Sequence, residues 1–169
     1  MSLEYIPFPE LPPNEQEAIA QEIADYTQGR TGEIPQMLPV TPEEIFGKYA
    51  GWVALQNSEF AGYVGATDPE EWQEQQMREV GTLWVPKAHQ KQGIGHGLLG
   101  NISQELTDQL IVPYGFGNKF SLQLFIDSLY TVADATAVPA SALTLCVKCP
   151  AKPSAGCCDT IVVFRGKNA

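Results

Sequence analysis

Basic residues are scarce in this sequence: ten lysines and arginines stand against twenty aspartates and glutamates, for a formal net charge of −10. Affinity for phosphate backbones comes largely from clustered Lys and Arg, so no nucleic-acid partner is expected. Long apolar runs are also missing. None reaches the roughly 18 residues that a membrane span requires, and Met1–Pro9 lacks the basic and apolar regions of a signal peptide. The expectation is a cytoplasmic chain without a membrane partner. No cysteine occurs before position 146, so the spread-out framework of a disulfide-rich secreted domain is absent too. Internal repeats and long linkers are lacking, and residues 1–169 read as a single domain.

What is present suits a packed core: hydrophobic residues make up 44% of the chain and charged residues 18%, the balance of a globular protein. Glu4–Phe8 reads as a short strand, and Asn14 as the cap of a helix over Glu15–Gln28 with Ile19 and Ile23 on one face. Thr41-Pro42-Glu43-Glu44 has the order of a second helix start, with Thr41 as cap and Pro42 at the first helical position; that helix ends near Gly47. From Gly51 the pattern changes to strands. Trp52–Gln56 and Phe60–Ala66, separated by Asn57-Ser58-Glu59, suggest a hairpin. The acidic, glutamine-rich stretch Asp68–Gln76 reads as a solvated excursion before a strand over Glu79–Val85 that stops at Pro86.

The chemistry concentrates after that strand, in Gln90-Lys91-Gln92-Gly93-Ile94-Gly95-His96, which leads into a helix running to about Asp108. Glycines at 93 and 95 let backbone N–H groups approach an anion, and the following helix points the positive end of its dipole at the same spot. The spacing does not fit a dinucleotide fingerprint, whose third glycine would fall at Leu98, nor a Walker loop, which needs Gly-Lys-Ser/Thr.

This string, between a strand and a helix continuing Leu98-Leu99, resembles the Gln/Arg-x-x-Gly-x-Gly/Ala pyrophosphate loop of the GNAT superfamily of acyl-CoA-dependent N-acyltransferases. The resemblance covers roughly Gly51–Tyr130. It implies an α+β fold with a mixed, mostly antiparallel central sheet flanked by helices, and acetyl-CoA as co-substrate. It also implies backbone contacts to the pantetheine arm from Leu83, Trp84 and Val85, and diphosphate contacts from Gln90, Lys91, Gln92, Gly93, Ile94, Gly95 and His96. Asn118-Lys119-Phe120-Ser121 is similar to the string that opens the family's next helix, which would set Asn118 and Ser121 beside the cofactor. Glu79, fourteen residues before Gly93, matches the catalytic glutamate of the histone-acetyltransferase branch and is the candidate base; a strand-end glutamate facing water is the alternative. Phe125 stands where many members carry a thiolate-protonating tyrosine, so that role falls to Tyr130, to Tyr114 or to no residue.

Around Asn118, Gln123, Asp127, Thr131 and Asp134 share one helical face, and Leu122, Phe125, Ile126, Leu129 and Ala133 the other. A competing strand reading alternates Phe120, Leu122, Leu124 and Ile126. Cys146, Cys149, Cys157 and Cys158 offer four soft ligands; they fit a structural metal, redox regulation, or inert thiols in a hairpin of Ala142–Lys148 against Thr160–Arg165. No metal is assigned. The expected function is transfer of an acetyl group to a small-molecule or peptide amine by direct attack on the thioester, with the acidic surface tilting toward a cationic acceptor and a homodimer left open. A non-catalytic acyl-CoA-binding module and a zinc-stabilised interaction domain are the alternatives.

Overall fold

The computed structural model describes residues 2–147 and 160–166. Strand β1 (Leu3–Pro7) leads to helix α1 (Pro13–Thr27). Proline at the first helical position needs no N–H partner and already has helical φ, so the helix begins at Pro13 with Pro12 as its cap residue. Asn14 therefore lies inside the first turn and does not cap it. Ile19, Ala20, Ile23 and Ala24 form the buried stripe of α1. Helix α2 (Pro42–Phe46) opens on a full capping box: Thr41 Oγ1 accepts from the Glu44 N–H, and Glu44 Oε2 accepts from the Thr41 N–H at 2.7 Å.

Strands β2 (Ala50–Gln56) and β3 (Glu59–Ala66) form the expected hairpin, closed by Asn57 and Ser58 at φ 52° and 68°, the left-handed pair that matches strand twist. The acidic stretch after β3 is largely exposed, as expected of a solvated excursion, but it is regular in structure. It folds as β4 (Glu70–Trp72), which returns through Gln73 and Glu74, again at positive φ, into the long β5 (Gln75–Trp84). The Trp72 indole N–H anchors this hairpin on the Thr136 carbonyl at 3.1 Å. Helix α3 (Ile94–Asp108) crosses over to β6 (Ile111–Gly117), which lies parallel to β5; a parallel neighbour requires such a crossover.

The long amphipathic helix expected after Asn118 is cut short. Helix α4 (Leu122–Asp127) ends before Leu129, which adopts φ 69°, and β7 (Tyr130–Ala133) begins at once. The competing strand over Phe120–Ile126 is also overturned, because Asn118 Oδ1 accepts from the Phe120 and Ser121 N–H groups and turns the chain into the helix. Helix α5 (Ala140–Val147), rich in alanine and leucine and following Pro139, replaces the first arm of the expected C-terminal hairpin. The final strand, β8 (Thr160–Phe164), pairs instead with β6 and β7. The chemistry of Cys146, Cys149, Cys157 and Cys158 lies outside the described residues, although the Cys146 backbone belongs to α5.

The result is a mixed, mostly antiparallel sheet in the order β1-β2-β3-β5-β6-β8-β7, with β4 on the early part of β5. One face is covered by α3, whose Ile94, Leu98, Leu99, Ile102 and Leu106 are at most 1% exposed against Ala54, Ala61, Val64 and Val80. Each such side chain contributes about 1.5–3 kcal/mol of transfer free energy. On the other face Phe8, Ile19, Ile23, Tyr26 and Ile45 pack against Val53, Tyr63 and Trp84. Among the described residues, no helix is long and apolar enough to cross a membrane.

Candidate active site

The two parallel strands part company. β5 and β6 stay in register only from Gln76–Ile111 to Glu79–Tyr114; beyond that, β6 continues with β8 and β5 with β3. The opening is a cleft of about 790 Å3. Its β5 wall carries a bulge: Tyr63 pairs with Trp84 and Gly65 with Gly81, so Val64 alone opposes Thr82 and Leu83, with Thr82 at φ 52°. From Val80 to Trp84 this strand has no β6 partner among the described residues. A strand edge of that kind presents backbone N–H and C=O groups to an extended, amide-bearing ligand. Leu83, Trp84 and Val85 all line the cleft.

At the end of β5 the chain turns into α3 through Lys91 at φ 61° and Gly93 at φ 80°. Gly93 is the cap residue, and no side chain caps the helix; the first intrahelical bond runs from the Gly97 N–H to the Gly93 carbonyl at 3.1 Å. The N–H groups of Ile94, Gly95 and His96 are thus without intrahelical acceptors at the positive end of a 15-residue helix. The two glycines serve different ends. A Cβ at Gly93 would meet nothing within 4 Å, so glycine is required for its φ, whereas a Cβ at Gly95 would lie 2.9 Å from Leu124 Cδ2, so glycine there lets α4 pack close.

Side chains of the loop divide between the cleft and the scaffold. Gln90 donates to the Val85 carbonyl at 3.0 Å, tying the loop to its strand. Gln90, Lys91, Gly93, Ile94, Gly95 and His96 line the cleft; Gln92 does not. Its amide accepts from Gln56 at 2.7 Å and donates to the Ala88 carbonyl at 3.3 Å, which holds the loop against β2. His96 Nε2 lies 3.7 Å from Asp127 Oδ2 on α4, with both side chains half-exposed. Asn118 and Ser121 line the far wall, with the Asn118 carbonyl oxygen committed to the start of α4.

Glu79 stands at the last paired position before the strands diverge. Its N–H donates to Thr67 Oγ1 at 3.2 Å and its carbonyl accepts from the Thr67 N–H at 3.0 Å, so the backbone is fixed. The half-buried carboxyl lines the cleft and lies over Gly81, where a Cβ would be 3.2 Å from Oε1. Burial pushes its pKa up, and Lys48 pulls it partly back. A carboxyl held above its ordinary range is better matched to taking a proton near neutrality.

Tyr130 does not belong to this group. It is 2% exposed, its ring packs on Phe125 and Phe164, and its hydroxyl shares a 2.8 Å hydrogen bond with Ser103 of α3 inside the core. Tyr114 is not a lining residue either; burial first, and then Glu79, raise its pKa. Phe125 fills the space left by Gly115, its ring 2.9 Å from where a Cβ would stand. The lining that sequence reasoning missed comes from the other end of the cleft: Lys48, Thr67 and the connection between α1 and α2, Gln36–Val40. These positions carry no motif, and only the fold brings them into one cleft with Glu79.

A model of the acetyltransferase (GNAT) family matches residues 17–124, from α1 through the glycine loop into α4. Among solved structures, N-acetylglutamate synthase from Neisseria gonorrhoeae, complexed with coenzyme A and N-acetyl-glutamate, superposes at TM-score 0.69 and 14% identity over 98% of this chain; the chain spans 35% of that protein. A GNAT-family acetyltransferase from Staphylococcus aureus Mu50 gives TM-score 0.64 at 14% identity, over 96% of this chain and 98% of its own. Arabidopsis thaliana NAA60 in complex with a bisubstrate analogue gives TM-score 0.59 at 17% identity, over 79% and 86%. No curated protein sequence matches. With the family model spanning both the glycine loop and the strand that carries Glu79, this chain belongs to the acetyltransferase (GNAT) family.

Proposed function

We propose that the protein is an N-acetyltransferase, acting through one domain, that transfers the acetyl group of acetyl-CoA directly to a primary amine. The observation that carries this reading is the adjacency of the unpaired β5 edge from Val80 to Trp84 and the uncapped N-terminus of α3. The first suits the amide-bearing pantetheine arm and the second its diphosphate. The presence of coenzyme A in the Neisseria structure and of acetyl-CoA in a second NAA60 structure supports the same donor.

Bound acetyl-CoA supplies the thioester, an activated acyl group. The chain's own residues do the rest. An amine arrives largely as ammonium and attacks only after losing a proton; Glu79, directly or through one water, accepts it. Backbone N–H groups along Leu83–Val85 are available to polarise the carbonyl as negative charge develops on its oxygen. The C–N bond forms as the C–S bond breaks, and the leaving sulfur takes its proton from solvent, since Phe125 offers none and neither Tyr114 nor Tyr130 lines the cleft.

Those hydroxyl positions also favour a second reading, a module that binds acyl-CoA without turnover. One experiment separates the two. Calorimetric titration with acetyl-CoA is run on the wild type and on Gly93→Glu, followed by thiol release over an amine panel with Glu79→Gln as control. Micromolar binding lost in Gly93→Glu together with release that needs Glu79 supports the transferase. Binding without release under any amine supports the module, and no binding by the folded wild type overturns both.

A further inference from the structure

Among the described residues, Lys48 is a cleft-lining cation with no ion-pair partner. It follows α2 directly, and its stem lies on Gly65, with Cγ 3.3 Å from where a Cβ would stand. It lines the same cleft as Glu79 and is close enough to act on that carboxyl, yet no carboxylate among the described residues comes within 4 Å of its ammonium. Glu44, the other acid that lines the cleft, has its carboxylate engaged in the α2 capping box. In a chain with twice as many acids as bases, an unpaired lysine placed in a cleft is a site for an incoming anion. A ligand carboxylate would give that ammonium a charge-assisted partner.

Glu79 and Lys48 together sort acceptors by charge. A polyamine or a lysine-rich peptide would bring its ammonium to Glu79 and meet repulsion from Lys48. An acceptor that carries a carboxylate a few bonds from its amine satisfies both at once. The cleft lining between α1 and α2 is Gln36, Met37, Leu38, Pro39 and Val40, four apolar residues and one amide with no charged side chain among them. Building on the acetyl-transfer reading above, we infer that the acceptor is a free α-amino acid with an apolar side chain, its amine at Glu79 and its carboxylate on Lys48. The local cation thus outweighs the acidic surface, which by itself pointed to cationic acceptors.

The test uses paired ligands that differ only in the carboxylate. N-acetyl-L-leucine and N-acetyl-L-methionine, and the corresponding C-terminal amides, are titrated calorimetrically into the full chain with and without coenzyme A, alongside N-acetylspermidine. The proteins are wild type, Lys48→Met and Lys48→Arg, and acetyl-CoA affinity is the folding control. The wild type is expected to bind at least one acid about tenfold or more tightly than its amide, the scale of a charge-assisted contact. Lys48→Met loses that preference and Lys48→Arg keeps it. Equal binding of acid and amide, tighter binding of the spermidine derivative, or no binding of any acid overturns the assignment. Absence of acetyl-CoA binding by the folded wild type would tell against the transferase reading; acetyl-CoA binding by the wild type without an acid preference would tell against the acceptor class alone.

Discussion

Replacing Tyr130 by phenylalanine removes one oxygen atom and asks whether that hydroxyl belongs to the core or to the chemistry. The ring's contacts with Phe125 and Phe164, at centroid separations of 5.0 and 5.2 Å, survive the change. What is lost is the 2.8 Å hydrogen bond to Ser103, a residue 1% exposed. Leaving a buried polar group without its partner costs about 1–3 kcal/mol. Ser103 sits inside α3, where a serine hydroxyl can turn to the carbonyl four residues earlier, so the lower part of that range applies, about 1–2 kcal/mol. For a chain of this size, each kcal/mol moves Tm by about 2–4 °C, which gives a fall of about 2–8 °C. Adding Ser103→Ala removes the orphaned hydroxyl and recovers part of the loss, a coupling of about 0.5–1.5 kcal/mol in a double-mutant cycle. The assays are urea melts at unchanged m-value and thiol release with the best acceptor. Unchanged kcat with lowered Tm is the expected result; a hundredfold loss of kcat at unaltered Tm would put the hydroxyl at the reacting atoms and refute the structural assignment.

Glu79→Gln is expected to abolish most turnover and also to stabilise the fold at neutral pH. Burial raises the folded-state pKa, so Glu79 contributes its full share of stability below the unfolded-state pKa and loses it as pH rises through the folded value. The variant's advantage in Tm therefore grows across that window and is absent below it. The acid limb of kcat/KM should lie above the ordinary carboxylate range, and Lys48→Met should move it higher, because Lys48 is the charge that lowers this pKa; an unshifted limb would show that Glu79 is not the titrating group. Gly93→Ala, with open space but φ 80°, should cost about 1–2 kcal/mol of stability from the left-handed backbone. Its acetyl-CoA affinity should stay well above that of Gly93→Glu, measured by the same titration. Gly81→Ala meets Glu79 Oε1 at 3.2 Å; a several-fold lower kcat at unchanged acetyl-CoA affinity would follow from a displaced carboxylate, and an unaltered kcat would mean that its position over Gly81 is immaterial.

The parts of the fold announced by local chemistry were legible in the sequence. The capping box at Thr41, the Asn57–Ser58 turn and the glycine loop each act within a few residues, and each stands where the pattern placed it. The β4–β5 turn escaped notice because Gln73 and Glu74 adopt positive φ without glycine. Leu122–Ala133 carries apolar residues that suit a helix throughout; only the left-handed Leu129 and the pairing of β7 with β8 divide it. Ala142–Val147 is an apolar run that helix and strand share, decided here for the helix. For the cleft, the strand end and the glycine loop were readable because they are contiguous, from Leu83 to His96. Lys48, Thr67 and Val40 were not, since the fold and not their spacing brings them into one cleft with Glu79. The burial of the Tyr130 hydroxyl against Ser103 was hidden for the same reason, because an offset along the chain does not say whether a hydroxyl faces a cleft or a core.

The narrow register between β5 and β6 gives the molecule a seam. Among the described residues, four pairs, Gln76–Ile111 to Glu79–Tyr114, join the two halves of the sheet directly. A cofactor lying along Val80–Trp84 would act as a short strand of foreign origin and close that seam with hydrogen bonds the chain does not itself supply. Donor binding and sheet completion then become one event. The amides from Val80 to Trp84 should exchange hydrogen more slowly once the donor is in place, and the β6–β8–β7 half should gain rigidity without gaining a single new residue contact of its own.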